Sequence, residues 1–143
     1  MSYQNGKVLY TGKTHTVGVL EARSQSTDGR LDIRQSAPGS KGTGTNPEQL
    51  LAAGWSACFI LAMNLAASRL QVTLPDETAV DAEVDLCNTL GNYDGAFFIK
   101  ARLDVRLPGL DRAVAQQVMD AAHDICPYHQ ATRGNVEVSA ILV

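Results

Sequence analysis

The sequence predicts an α+β fold with antiparallel sheet, on three observations. Stretches that alternate apolar and polar residues mark strands, and two stretches with helical features separate them. The turn signals between consecutive strands are of hairpin type, so neighbouring strands should run antiparallel. The order read along the chain is β-β-α-β-β-α-β, in one domain spanning residues 1–143. That length is enough for a substantial core.

Residues 7–22 read as one extended segment, with Val8 and Tyr10 alternating against Lys7 and Leu9, then Val17 and Val19. Thr27-Asp28-Gly29 signals a hairpin, and Arg30 to Arg34 alternates as the returning strand. Residues 36–46, rich in Ser, Gly, Thr and Pro, form a loop. Asn46 is a good N-cap, Pro47 fits the first helical position, and Gln49 comes close to completing a capping box. From Leu50 to Ala67 the residues are apolar or small nearly all round, interrupted by Gly54, Ser56 and Asn64. A helix without a polar face is a buried helix, here predicted from Pro47 to about Arg69. Its apolar run falls short of the ~20 residues of a membrane span, so a core helix is expected.

Thr78 to Leu86 puts Val80, Ala82, Val84 and Leu86 on one face of a half-buried strand. Residues 91–95 turn the chain, and Phe97, Ile99, Ala101, Leu103, Val105 and Leu107 line one face of the next strand. Lys100, Arg102, Asp104 and Arg106 then face solvent or a cross-strand acid. Pro108-Gly109 breaks the strand, and Asp111 caps a second helix in which Val114, Val118, Ala122 and Ile125 recur. That helix should end near Cys126, since Pro127 disfavours helix before it. Arg133-Gly134-Asn135 reads as a turn, and Val136, Val138, Ala140 and Leu142 mark a final strand.

Composition narrows the function. A net charge of −3 with no basic run argues against nucleic acid and anionic membrane as partners. The first residues carry no apolar stretch, so no signal peptide is expected. Three cysteines, odd in number and widely spaced, do not form a secreted disulfide framework. The expected compartment is the reducing cytoplasm, where a disulfide is more often catalytic than structural.

Cys58 in mid-helix reads either as a small core hydrophobe or as a reactive thiol. Cys126 lies 68 residues further on, so the two are no Cys-x-x-Cys motif. Each belongs to one predicted helix, and the thiols meet if those helices pack together. His123, Cys126 and His129 have helical ligand spacing, but Pro127 interrupts it and no fourth ligand stands out, so no metal is expected. Cys87 reads as a semi-exposed bystander.

Two long motifs add to this reading. Asn46-Pro-Glu-Gln-Leu leading to Ala52-Ala-Gly-Trp-Ser-Ala-Cys58-Phe, and Cys126-Pro-Tyr-x-x-Ala-Thr-Arg-Gly-Asn135, resemble the OsmC/Ohr family, specifically its organic hydroperoxide resistance branch. The resemblance runs from Tyr10-Thr-Gly-Lys-Thr-His-Thr to the last strand. It implies two long helices against curved sheets in an intertwined homodimer. It also implies an enzyme without a cofactor that reduces organic hydroperoxides. Cys58 would be peroxidatic and Cys126 resolving, and a lipoyl-bearing protein would be the reductant. In that family an arginine held by the glutamate of the Asn-Pro-Glu motif supports the thiolate. Glu48 matches the glutamate, whereas Leu20 stands where the arginine is expected, and Arg23 is the candidate substitute cation. Glu48 and Cys58 are separated by ~15 Å of helical rise, so Glu48 is expected to act across the dimer or through another group. Trp55, Phe59 and Tyr128 are the expected walls of an apolar substrate pocket. The alternative, favoured by Leu20, is a non-catalytic binding or redox-sensing member.

Overall fold

A computed structural model describes residues 5–143, in two compact units that divide after Pro47. The N-terminal unit is a three-stranded antiparallel sheet of β1 (Thr14–Gly18), β2 (Glu21–Ser26) and β3 (Asp32–Ser36), in that order. The extended segment expected over 7–22 is therefore broken by a hairpin, with Gly18 paired to Ala22 and Val17 to Arg23. Gly18 makes this reversal possible. Its φ is 127°, and a Cβ there would strike the Glu21 carbonyl. The turn residues Val19 and Leu20 are apolar, which hid the hairpin from a reading of turn composition. The second turn matches expectation: Asp28 Oδ1 accepts from the Arg30 N–H and the Ser26 hydroxyl, and Gly29 takes a positive φ. The buried side chains of this unit, among the described residues, are Ser24 and Ser36.

The second unit holds the core. Helix α1 (Pro47–Arg69) turns Trp55, Phe59, Ala62, Met63, Ala66 and Ala67 inward. Strands β4 (Ala79–Asn88) and β5 (Phe97–Arg106) pair antiparallel, with Ala82 opposite Leu103. Helix α2 (Arg112–Ile125) starts where expected, Asp111 Oδ2 accepting from the N–H groups of Ala113 and Val114. A short helix α3 (Pro127–Thr132) follows, then β6 (Glu137–Leu142). The inward faces of the three strands, including Val84, Leu103, Val105 and Ala140, join α1 and α2 in one apolar cluster. The outward face carries the expected cross-strand ion pairs, Arg102 with Glu83 and Asp85, Arg106 with Asp81, and Lys100 with Glu137.

One feature departs from the sequence reading and one refines it. Strand β6 runs parallel to β5, because α2 and α3 return the chain to the end where β5 began. The fold is α+β, with one antiparallel and one mixed sheet. The second concerns α1, which packs one face as the expected core helix although it is long and apolar enough to cross a membrane. Its other face is also apolar but exposed within the chain, at Ala53, Ala57, Leu61 and Leu65.

Candidate active site

Pro127 shapes the site. It forces Cys126 out of helix, to φ −66° and ψ 118°, so this one residue both ends α2 and precedes α3. The kink buries Cys126 fully and brings its Sγ to 3.7 Å from Cys58 Sγ on α1. Closure to a disulfide needs an S–S distance of about 2.05 Å, so a shift of under ~2 Å suffices. Cys58 is half-buried and remains the accessible member of the pair. Burial is the largest influence on its thiol and pushes its pKa up, with the neighbouring Cys126 acting in the same direction. The backbone N–H of Tyr128 acts the other way and lowers it. Among the described residues, no cation adds to these effects.

Beneath the thiols lies an aromatic cluster with two imidazoles. The indole N–H of fully buried Trp55 donates to His129 Nδ1 at 3.1 Å. Trp55 also stacks on Tyr128 at a centroid distance of 6.0 Å. Phe59, also fully buried, lies 4.6 Å from the His129 ring, and the His123 and His129 rings meet edge to face at 4.6 Å. Burial lowers the pKa of both histidines, that of His129 to about 4, with His123 and Arg133 adding to the effect on His129. His129 is thus a neutral imidazole whose Nδ1 is an acceptor, so its proton is on Nε2. Arg133 reaches back to the His123 carbonyl and to Asp124, tying the turn after α3 to the end of α2.

The remaining expected residues are placed as follows. Glu48 is half-buried in the first turn of α1, and its Oε2 is buried without a hydrogen-bond partner among the described residues. Leu20 is exposed in the β1–β2 turn. Arg23 sits on the returning strand β2, so it and Leu20 do not share one strand. Its guanidinium forks onto Asp32 at 2.8 and 2.7 Å, which raises its own pKa. Cys87 is half-buried on β4, opposite Phe98. Among the described residues, no three His, Cys, Asp or Glu side chains converge as metal ligands.

The chain as a whole has counterparts among known proteins. The model of the OsmC-like protein family matches residues 39–140. An organic hydroperoxide resistance protein of Xanthomonas axonopodis pv. citri is 44% identical over 140 residues, covering 95% of this chain and 96% of the relative. The chain belongs to the OsmC/Ohr family. Its place in the organic hydroperoxide resistance branch is reinforced by the OhrB protein of Bacillus subtilis, 41% identical over 133 residues, 91% of this chain and 95% of that one. The crystal structure of that OhrB superposes with a TM-score of 0.86 at 38% identity, over 95% of this chain and all of that one.

Within this family setting, the Trp55–His129 hydrogen bond is what sequence reasoning missed. The two residues lie 74 positions apart. The available signal was a histidine three residues past a cysteine on the next short helix, which sequence reasoning weighed as a metal ligand.

Proposed function

We propose that this protein is a cysteine-based peroxidase that reduces alkyl or lipid hydroperoxides to alcohols in the cytoplasm, without a cofactor. The 3.7 Å approach of Cys126 Sγ to Cys58 Sγ carries this reading, and the names of the relatives support the substrate class. The Cys58 thiolate attacks the distal peroxide oxygen and the O–O bond breaks. The alkoxide takes up a proton and leaves as alcohol, and Cys58 becomes a sulfenic acid. The Cys126 sulfur then attacks the Cys58 sulfur, the S–S bond forms and water departs. A dithiol of dihydrolipoyl type, carried on a protein, restores both thiols and becomes the cyclic disulfide. Tyr128, over the Trp55 and Phe59 floor, is the apolar wall for the organic group.

The working form is an intertwined homodimer. Each unit supports this separately: the N-terminal sheet buries no apolar side chain among its described residues, and α1 exposes the Ala53–Leu65 stripe. A thin sheet without an apolar face to bury is not stable alone. Glu48, with a buried carboxylate oxygen lacking a hydrogen-bond partner among the described residues, acts across the dimer by holding a cation for the other subunit's Cys58. Mixing Glu48→Ala with Cys58→Ser subunits tests this. Activity recovered in confirmed heterodimers supports action across the interface, and none recovered counts against it.

The decisive experiment is consumption of an alkyl hydroperoxide with a lipoyl-dependent reducing system. Cys58→Ser should abolish turnover, and Cys126→Ser should consume about one equivalent and stop at oxidised Cys58. Multiple turnovers by Cys58→Ser would overturn the assignment. Peptide mapping should join Cys58 to Cys126 and leave Cys87 free. A second reading, a binding or redox-sensing protein whose thiols oxidise slowly, is favoured by one observation: among the described residues no cation acts on the raised Cys58 thiol. Wild-type oxidation by alkyl hydroperoxide no faster than that of a free thiol would select it.

A further inference from the structure

The thiol pair is formed by two elements that no covalent bond fixes against each other: α1 carries Cys58, and the α2–α3 kink carries Cys126 and Tyr128. Closing the disulfide, and presenting the Tyr128 N–H to Cys58, both depend on where α3 lies against α1. A buried side-chain hydrogen bond crosses between α1 and α3, from Trp55 Nε1 to His129 Nδ1 at 3.1 Å. It is buried at both ends and sits one turn before Cys58 on α1 and three residues after Cys126 on the other side. The ring contacts of His129 with Phe59 and of Tyr128 with Trp55 flank it.

We propose that His129 is a positioning residue for the thiol pair: by accepting the Trp55 indole N–H it latches α3 to α1 and holds Cys126 Sγ against Cys58 Sγ. Such a bond is directional, whereas the surrounding ring contacts allow sliding. Without it, α3 keeps its apolar cover but loses its register on α1, and the two sulfurs spend less time within reach. The neutral, low-pKa state of His129 keeps the acceptor lone pair on Nδ1. The inference rests on Cys58 and Cys126 being a redox pair, but not on which oxidant they meet.

The test uses the full-length protein equilibrated in glutathione redox buffers. One oxidised glutathione takes two electrons from the pair, yielding the Cys58–Cys126 disulfide and two reduced glutathiones. The equilibrium gives the effective concentration of one thiol at the other. His129→Leu, which keeps bulk but has no acceptor, should lower it about tenfold, the scale of one lost buried hydrogen bond. His129→Asn, whose Oδ1 replaces Nδ1 as acceptor, should restore most of it. Trp55→Phe, which removes the donor and keeps an aromatic ring, should match His129→Leu, and the double variant should fall no further. In chains whose one cysteine is Cys58, His129→Leu should also raise the thiol pKa measured by pH-dependent alkylation, as the Tyr128 N–H drifts away. Wild-type values in folded His129→Leu would overturn the proposal, as would equal losses in His129→Leu and His129→Asn. If His129→Leu does not fold, the same comparison between Trp55→Phe and wild type decides. A wild-type protein that forms no Cys58–Cys126 disulfide at all would instead overturn the redox-pair reading, and the latch with it.

Discussion

The two units of this chain solve the problem of rigidity in different ways. The N-terminal sheet is held by backbone ladders, by the Arg23–Asp32 fork and by hydroxyl contacts such as Thr16 with Ser24 and Ser36 with Glu21, and it buries two serines. The C-terminal unit encloses a continuous apolar core from α1, α2 and β5, in which Cys126 is buried and against which Cys58 packs. The 3.7 Å sulfur–sulfur approach thus sits where packing leaves little freedom. Arg23 and Leu20 belong to the unit whose contacts are exposed and polar.

The largest expected effect tests where stability resides. Met63→Ala or Leu103→Ala, each at a fully enclosed position, should cost about 2–5 kcal/mol in denaturant unfolding. Arg23→Ala, at an exposed ion pair, should leave the unfolding midpoint unchanged within error. A comparable loss from both would break the contrast, and would mean that the N-terminal sheet contributes as much as the core does.

The second effect sharpens the division of labour between the units. If the position of Leu20 can supply charge to Cys58, then Leu20→Arg should lower the Cys58 pKa by about one unit or more, worth ~1.4 kcal/mol per unit. Peroxide reduction near neutral pH should speed up accordingly. Arg23→Ala should raise the pKa and slow the reaction if Arg23 is the substitute. Its fork onto Asp32 argues for a smaller effect than that of Leu20→Arg. No change from either substitution would mean that the family's arginine–glutamate arrangement does not operate here.

The sequence was most legible where local chemistry decides structure. Asp111 as cap, Pro127 as helix stop and the alternation along β4 and β5 each state their own outcome, and the structure follows them. It was least legible where a distant partner decides. The Gly18 reversal was masked by apolar turn residues, and the parallel pairing of β6 depends on where α2 and α3 lead the chain. Likewise, the exposed apolar stripe of α1 and its buried face look alike in composition, because Leu61 and Met63 differ only in what surrounds them. Of the site, the two cysteines were readable from their motifs. The Trp55–His129 bond was not, since nothing local marks a histidine as an acceptor.

A pH titration gives the third effect, confined to the C-terminal unit. Unfolded His129 binds its proton near its ordinary pKa of about 6.5, whereas burial holds the folded pKa to about 4. Between those values the unfolded chain carries more protons, so stability rises with pH across this window and falls as the solution is acidified through it. Protonation near pH 4 also removes the lone pair that accepts from Trp55. Trp55 is the one tryptophan of the chain, so its fluorescence reports the event. A change in emission should appear as pH falls toward 4 in wild type and be absent in His129→Asn. An identical transition in both would assign it to other groups.

The smallest effect separates the rim of the site from its latch. Gly54 lies one residue before Trp55 on α1, and a Cβ there would come to 3.0 Å from the Tyr128 hydroxyl. A glycine inside a helix costs about 0.5–1 kcal/mol relative to alanine, so Gly54→Ala gains that much from the backbone. Against this stands a close contact with the far end of a side chain, the part that moves most easily. The Tyr128 ring can tilt by a few tenths of an ångström on its Trp55 support while its backbone N–H stays beside Cys58. Gly54→Ala should therefore raise stability by a few tenths of a kcal/mol, part of the helix gain, and leave the Cys58 pKa and the disulfide equilibrium unchanged. A fall in the effective concentration of the thiols would mean that the Tyr128 ring, and not only the His129 acceptor, sets the position of α3.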